Sequence, residues 1–138
     1  MLNITYRSDA KITAEQFIDL LKRSTLDQRR PVGNPERINK MLSHGNILVT
    51  AWDGDKLVGV SRALSDFSFC CYLSDLAVDE AYQHKGIGKE LIKQTHQVAG
   101  EEHVMLILLA APAAVNYYPK IGMERFDHCF IIKRKSAT

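Results

Sequence analysis

The chain has no apolar stretch long enough to cross a bilayer. Runs such as Val104-Met105-Leu106-Ile107-Leu108-Leu109-Ala110 fall far short of the roughly 20 residues a spanning helix needs. Charge of one sign is lacking too. The net charge is only +2, and the basic residues sit in short, separated clusters at Lys22-Arg23, Arg29-Arg30 and Lys133-Arg134-Lys135. Nucleic-acid binders concentrate positive charge on one face to neutralise phosphates, so neither nucleic acid nor membrane is an expected partner. The clusters read as solvated surface or tail.

Cysteine is scarce and badly placed for bridging. Cys70 and Cys71 are adjacent, and neighbouring strand residues point to opposite faces, so the two serve neither one disulfide nor one metal site. With Cys129 the count is odd, and no export signal is visible, which argues for a reducing, cytoplasmic compartment. His44, His84, His96, His103 and His128 show no zinc-ligand spacing with these cysteines, so no metal is expected. Internal repeats, linkers and low-complexity segments are absent. What is present suits a single soluble domain over residues 1–138, with 46% hydrophobic and 25% charged residues.

Periodicity divides the chain into alternating elements. Leu2 to Arg7 alternates as a first strand, and Ile12 to Ser24 has helical spacing, with Thr13 and Gln16 set as a capping box. A loop follows from Asp27 to Pro35. Asn34 then caps a helix from Pro35 to Ser43, with the proline in its first turn. Ile47 to Trp52, Leu57 to Leu64 and Phe69 to Val78 read as three antiparallel strands, the first two joined by the hairpin signal Asp53-Gly54-Asp55. Ile87, Leu91, Thr95, Val98 and Ala99 mark one face of a helix from about Gly86 to Ala99, with Gly100 as its stop. Val104 to Ala110 is a continuous apolar run, expected to be a strand buried on both faces. Ala113 to Lys120 predicts a short helix, and Arg125 to Arg134 a last strand. The expected architecture is mixed α/β, or α+β: a mostly antiparallel sheet with one parallel crossover, flanked by about four helices.

The chemistry is concentrated where the third strand of this meander feeds the following helix, at Gln83-His84-Lys85-Gly86-Ile87-Gly88-Lys89. First-turn amides of a helix lack intrahelical partners and sit at its positive end, so they bind anions. Glycine at 86 and 88 removes Cβ atoms that would hold a diphosphate off the backbone, and Lys85 and Lys89 add charge. A P-loop is excluded because Glu90 follows Lys89. A dinucleotide fingerprint is excluded because Leu91 stands where a third glycine is needed. A bare Gly-x-Gly is usually no more than a tight helix entry. Here the flanking strand and helix, and a second motif, reverse that reading.

Gln83-x-x-Gly86-x-Gly88 resembles the (Gln/Arg)-x-x-Gly-x-(Gly/Ala) signature of the GNAT superfamily of N-acetyltransferases. Leu76-Ala77-Val78 looks like that family's strand, whose exposed backbone pairs with the pantetheine arm. Some 30 residues on, Ala114-Val115-Asn116-Tyr117-Tyr118-Pro119-Lys120-Ile121-Gly122-Met123 is similar to its A-x-x-(F/Y)-Y-x-K-x-G-(F/M) segment. The resemblance implies an acyl-CoA N-acyltransferase fold whose sheet splays between the Phe69–Val78 and Val104–Ala110 strands. It implies acetyl-CoA as co-substrate, contacted by Leu76, Ala77, Val78, Gln83, His84, Lys85, Gly86, Ile87, Gly88, Lys89 and Asn116. Ala111 departs from a frequent asparagine and Pro119 from a frequent glutamate.

Acetyl transfer needs a neutral amine, donors for the oxyanion and a proton for the departing thiolate. The resemblance makes Tyr118 the acid, while Tyr117 reads as a packed aromatic. A backbone amide near Leu76 or Ala77 is the implied oxyanion donor. Asp75 is a candidate base, directly or through water, and equally a structural carboxylate or substrate clamp. Arg29, Arg30 and Arg37 fall in a region that often lines the acceptor pocket in this family, and a solvated loop also explains them. The expected activity is transfer of acetyl to a primary amine of a small molecule or peptide. The alternatives are a non-catalytic acyl-CoA-binding regulatory module and a protein with a vestigial turn. Homodimerisation is common in the family.

Overall fold

The first helix begins where its capping residues require. Thr13 Oγ1 accepts from the Gln16 N–H at 3.1 Å, and Gln16 Oε1 accepts from the Thr13 N–H at 2.9 Å, so α1 runs Ala14–Arg23. Asn34 caps α2, Pro35–His44, by accepting from the Arg37 N–H, with Pro35 in the first turn. The loop between these helices carries a short 3₁₀ turn, Leu26–Arg29. The computed structural model describes residues 3–136. They divide into two compact units, one ending at Leu108 and one beginning at Leu109.

In the first unit, five strands pair in the order β1 (Ile4–Arg7), β2 (Ile47–Asp53), β3 (Lys56–Ser65), β4 (Cys70–Val78) and β5 (Met105–Leu108). Leu2, expected in the first strand, lies outside the described residues. All pairings are antiparallel except β4 with β5, which are parallel and joined through α3, Ile87–Ala99. The expected mixed sheet with one crossover is therefore present.

Two apolar layers sandwich the sheet. On one face, Ile87, Leu91 and Ala99 of α3 pack against Val49, Val58 and Leu73. On the other, Phe17, Leu20 and Leu21 of α1 and Ile38 of α2 cover Leu57, Val60 and Ala77. Each fully buried leucine or phenylalanine contributes about 1.5–3 kcal/mol, so these layers hold α3 on one face and α1 and α2 on the other to the strands.

The alternation along β4 does not run through. Arg62 pairs with Asp75 but the next residue, Ala63, pairs with Leu73, which leaves Ser74 as an extra residue. Before it, Cys71 and Leu73 face α3; after it, Leu76 and Val78 face α3 while Ala77 faces α1 and α2. The bulge has inverted the strand.

Three expectations need correction. The 104–110 run is not buried on both faces. β5 is an edge strand with Leu106 and Leu108 against the α3 layer, whereas Met105 and Ile107 are 61% and 46% exposed. The last strand, expected at 125–134, is absent from the described residues. Phe126, Phe130 and Ile132 are instead exposed at 60%, 89% and 100%. Alternating apolar residues mark a propensity, but a strand exists only with a ladder partner. The second unit contains a 3₁₀ turn at Pro112–Ala114 and α4 at Tyr117–Lys120, shorter than the helix expected from Ala113.

Candidate active site

β4 pairs with β5 only from Cys70–Met105 to Leu73–Leu108. Its remaining residues, through Val78, continue on the β3 side alone. The ladder thus ends at the bulge, and Leu76, Ala77 and Val78 follow as an extended stretch whose far edge lacks a β5 partner. Such an edge presents N–H and C=O groups to any ligand that can pair with them.

The turn after β4 is built as an open helix end. Asp79 caps a 3₁₀ turn, Glu80–Tyr82, by accepting from the Ala81 N–H at 2.8 Å, and the Gln83 side chain donates to the Val78 carbonyl at 3.1 Å. The glutamine of the motif therefore braces the turn across its mouth. His84 and Gly86 both have positive φ, 63° and 85°. For glycine this costs nothing sterically, while for histidine it is uncommon. The first bond inside α3 runs from the Glu90 N–H to the Gly86 carbonyl at 3.1 Å, so the amides of Ile87, Gly88 and Lys89 have no acceptor within the helix. Whereas side chains cap α1 and α2, none caps α3. Lys85 and Lys89 are exposed beside it.

Long-range ion pairs anchor this turn, and sequence reading missed them. The Arg23 guanidinium donates to Asp79 at 2.6 Å and to the Leu57 carbonyl at 2.8 Å, with Lys56 at 3.8 Å from the same carboxylate. Burial alone would raise the Asp79 pKa; the hydrogen bonds from Arg23 and the Ala81 amide outweigh it and lower the carboxyl. Nothing in a single sequence pairs residues this far apart.

Asp75, the candidate base, is fully buried, and its two oxygens accept from Arg30 Nε and Arg62 Nε. Arg30 also donates to the Ser74 carbonyl at 2.7 Å, and Arg62 to the Ser74 hydroxyl at 3.1 Å and the Met41 carbonyl at 3.1 Å. The carboxylate is thus committed to two guanidinia, the geometry of its structural-carboxylate reading. Arg30 belongs to this network rather than to a solvated loop.

In the second unit, Asn116 is exposed and precedes α4, and Tyr118 lies within that helix. The Tyr117 and Tyr118 rings meet edge to face at 5.2 Å. Burial pushes the Tyr118 phenol above its ordinary pKa of 10.0, and the neighbouring Tyr117 adds to the rise. The Tyr118 hydroxyl therefore keeps its proton at neutral pH and is available as a donor. The turn carbonyl of Tyr118 accepts from the Met123 N–H at 3.0 Å, which closes the helix exit.

Comparison with known proteins adds independent findings. A sequence model of the acetyltransferase (GNAT) family matches residues 14–123. GCN5-related N-acetyltransferase 2, chloroplastic, of Arabidopsis thaliana is 34% identical over 70 residues, 50% of this chain and 27% of that protein. An uncharacterized N-acetyltransferase, ycf52-like, of Prochlorococcus marinus is 27% identical over 99 residues, 68% of this chain and 53% of that protein. The chain thus spans from about a quarter to about half the length of these curated relatives. Among solved structures, a GNAT family acetyltransferase of Streptococcus pneumoniae TIGR4 superposes with a TM-score of 0.74 at 27% identity, covering 96% of this chain and 98% of that one.

Proposed function

The chain belongs to the acetyltransferase (GNAT) family, and from that membership we propose that it transfers the acetyl group of acetyl-CoA to a primary amine of a small molecule or peptide. One observation carries the reading. The N-terminus of α3 is left without a side-chain cap, behind two positive-φ residues, and a Cβ added at Gly86 would meet no atom within 4 Å. Free amides at the positive end of a helix, with open space before them, fit a diphosphate.

Acetyl-CoA supplies the activated thioester. The residues around it have separate tasks in this reading. The amides of His84, Lys85, Gly86, Gly88 and Lys89 hold the diphosphate, with Ile87 fixing the turn through its buried side chain. The edge of Leu76, Ala77 and Val78 that has no β5 partner orients the pantetheine arm, and an amide of that stretch stabilises negative charge developing on the carbonyl oxygen. Asn116 is a further proposed contact to the co-substrate. Tyr118 gives its proton to the departing sulfur. With Asp75 held by two arginines, the amine's proton leaves through water. No metal is assigned, and the cytoplasm is the proposed compartment, supported by cysteines that are all unpaired.

Titration calorimetry with acetyl-CoA, followed by thiol-release assays on an amine panel, tests the proposal. Binding with release of CoA thiol on at least one amine is expected. Binding without product for any amine, even at high pH, would support the non-catalytic regulatory module instead. Absence of binding would remove the site.

A further inference from the structure

A buried carboxylate is normally paired with a cation. Asp75 has two, and both reach past it to the same neighbour. Arg30 donates to Asp75 and to the Ser74 carbonyl; Arg62 donates to Asp75 and to the Ser74 hydroxyl. Asp75 is 0% exposed, and the Arg62 side chain only 8%. Ser74 is the residue that breaks the register of β4. The side-chain hydrogen bonds from Arg30 and Arg62 thus meet at the bulge, and each arginine brings a different element to it. Arg30 belongs to the segment after the 3₁₀ turn, and its Nη1 also donates to the Arg29 carbonyl at 2.8 Å. Arg62 comes from β3 and also ties down the Met41 carbonyl of α2.

We propose that Arg30, Asp75 and Arg62 act as a positioning clamp that holds the bulge at Ser74 and so fixes the direction of the Leu76–Val78 backbone for acetyl-CoA. A bulge leaves a residue unpaired in the ladder and lets the strand bend, so its geometry must be set by other groups. Two planar guanidinia, each bonding side by side to Asp75 and Ser74, set it more rigidly than a single flexible cation would. The ladder to β5 stops at Leu73, immediately before this point, so a strand left to relax there would close on the edge the ligand needs. The clamp contacts no reacting atom. It acts through the strand, and the inference rests on the acetyl-CoA reading above.

The test uses Arg30→Ala and Arg30→Lys, with Arg7→Ala as a surface control, since the Arg7 side chain is 53% exposed and pairs with exposed Asp9. Acetyl-CoA affinity is measured by calorimetry at a temperature where circular dichroism shows each protein folded. Both Arg30 variants should bind on the order of 10- to 100-fold more weakly, because small misplacements of positioning groups have effects of that size. Millimolar methylguanidinium should restore most of the affinity of Arg30→Ala and leave Arg7→Ala unchanged. Restored affinity is a readout that a general loss of stability does not give. Should Arg30→Ala fail to fold, Arg30→Lys carries the test, since it keeps the charge and loses the fork. Folded Arg30 variants binding within twofold of wild type overturn the clamp, as does an equal loss in Arg7→Ala. A wild-type protein that does not bind acetyl-CoA overturns the function instead.

Discussion

Gly86→Ala separates the fold from the binding turn. Gly86 sits at φ 85°, where an L side chain is strained, yet an added Cβ meets nothing within 4 Å. The cost to folding is then conformational alone. The left-handed region disfavours an L residue by about 1–2 kcal/mol, and loss of unfolded-state freedom on replacing glycine returns about 0.4–1 kcal/mol. The net, about 1 kcal/mol, lowers Tm by about 2–4 °C in a chain of this size. That leaves a folded protein, since domain stabilities run to about 5–15 kcal/mol. Binding should suffer more than folding, because the methyl enters the space before the α3 amides. Loss of even one charge-assisted hydrogen bond is worth about 1.5–3 kcal/mol, roughly a 10- to 150-fold weaker Kd. Thermal melting and acetyl-CoA calorimetry on the same preparation measure both quantities. Gly86→Asn sharpens the comparison, since asparagine tolerates the left-handed region: it should recover Tm and not affinity. If Gly86→Ala melts lower but binds acetyl-CoA with wild-type affinity, the turn does not hold the diphosphate.

Three further outcomes follow from the same geometry. Tyr118→Phe should keep acetyl-CoA affinity while turnover falls about 100-fold or more, and because the phenol pKa is raised above 10.0, its deprotonation should not depress the wild-type rate below that pH; unchanged turnover removes the acid role. Gly59→Ala places a Cβ at 3.0 Å from Leu91 Cδ1 and 3.2 Å from Ile87 Cγ2, so overpacking should cost about 1–3 kcal/mol in denaturant titration and weaken acetyl-CoA binding by displacing the first turn of α3. At the β3–β4 hairpin, Asp66 accepts from the amides of Phe69, Cys70 and Ser68, which hold its carboxyl at about 2 against an ordinary 3.8. A lowered pKa stabilises above 3.8 and is lost as pH falls toward 2, so the Tm gap between wild type and Asp66→Ala should be full at pH 6 and shrink across that window.

The parts of the molecule governed by local chemistry were legible in the sequence. Thr13 with Gln16, Asn34 with Pro35, and Gly100 each mark a helix boundary through bonds spanning a few residues, and the structure has those caps where the spacing sets them. The open end of α3 was legible for the same reason. Parts governed by distant partners were not. Phe69 to Val78 reads as one strand, and no residue in it announces that Ser74 is unpaired. Arg23 with Asp79, and Arg30 with Asp75, join residues 56 and 45 positions apart, which no periodicity connects. The 125–134 segment shows the opposite failure. Its alternation is real, but alternation cannot supply the neighbour that makes a strand.

The break at Ser74 also limits how this chain can change over generations. β4 carries two phases, one up to Leu73 and the other from Asp75, and each side chain's layer depends on counting through a single extra residue. Losing that residue would restore unbroken alternation, with Asp75 still opposite Arg62, but would remove the carbonyl and hydroxyl that the two arginines hold. Substitutions along β4 change one contact each, whereas an insertion or deletion elsewhere in the strand turns every side chain beyond it to the other layer. Length variation among descendants should therefore collect in the turns at Gly54 and Phe67, and this strand should keep its count.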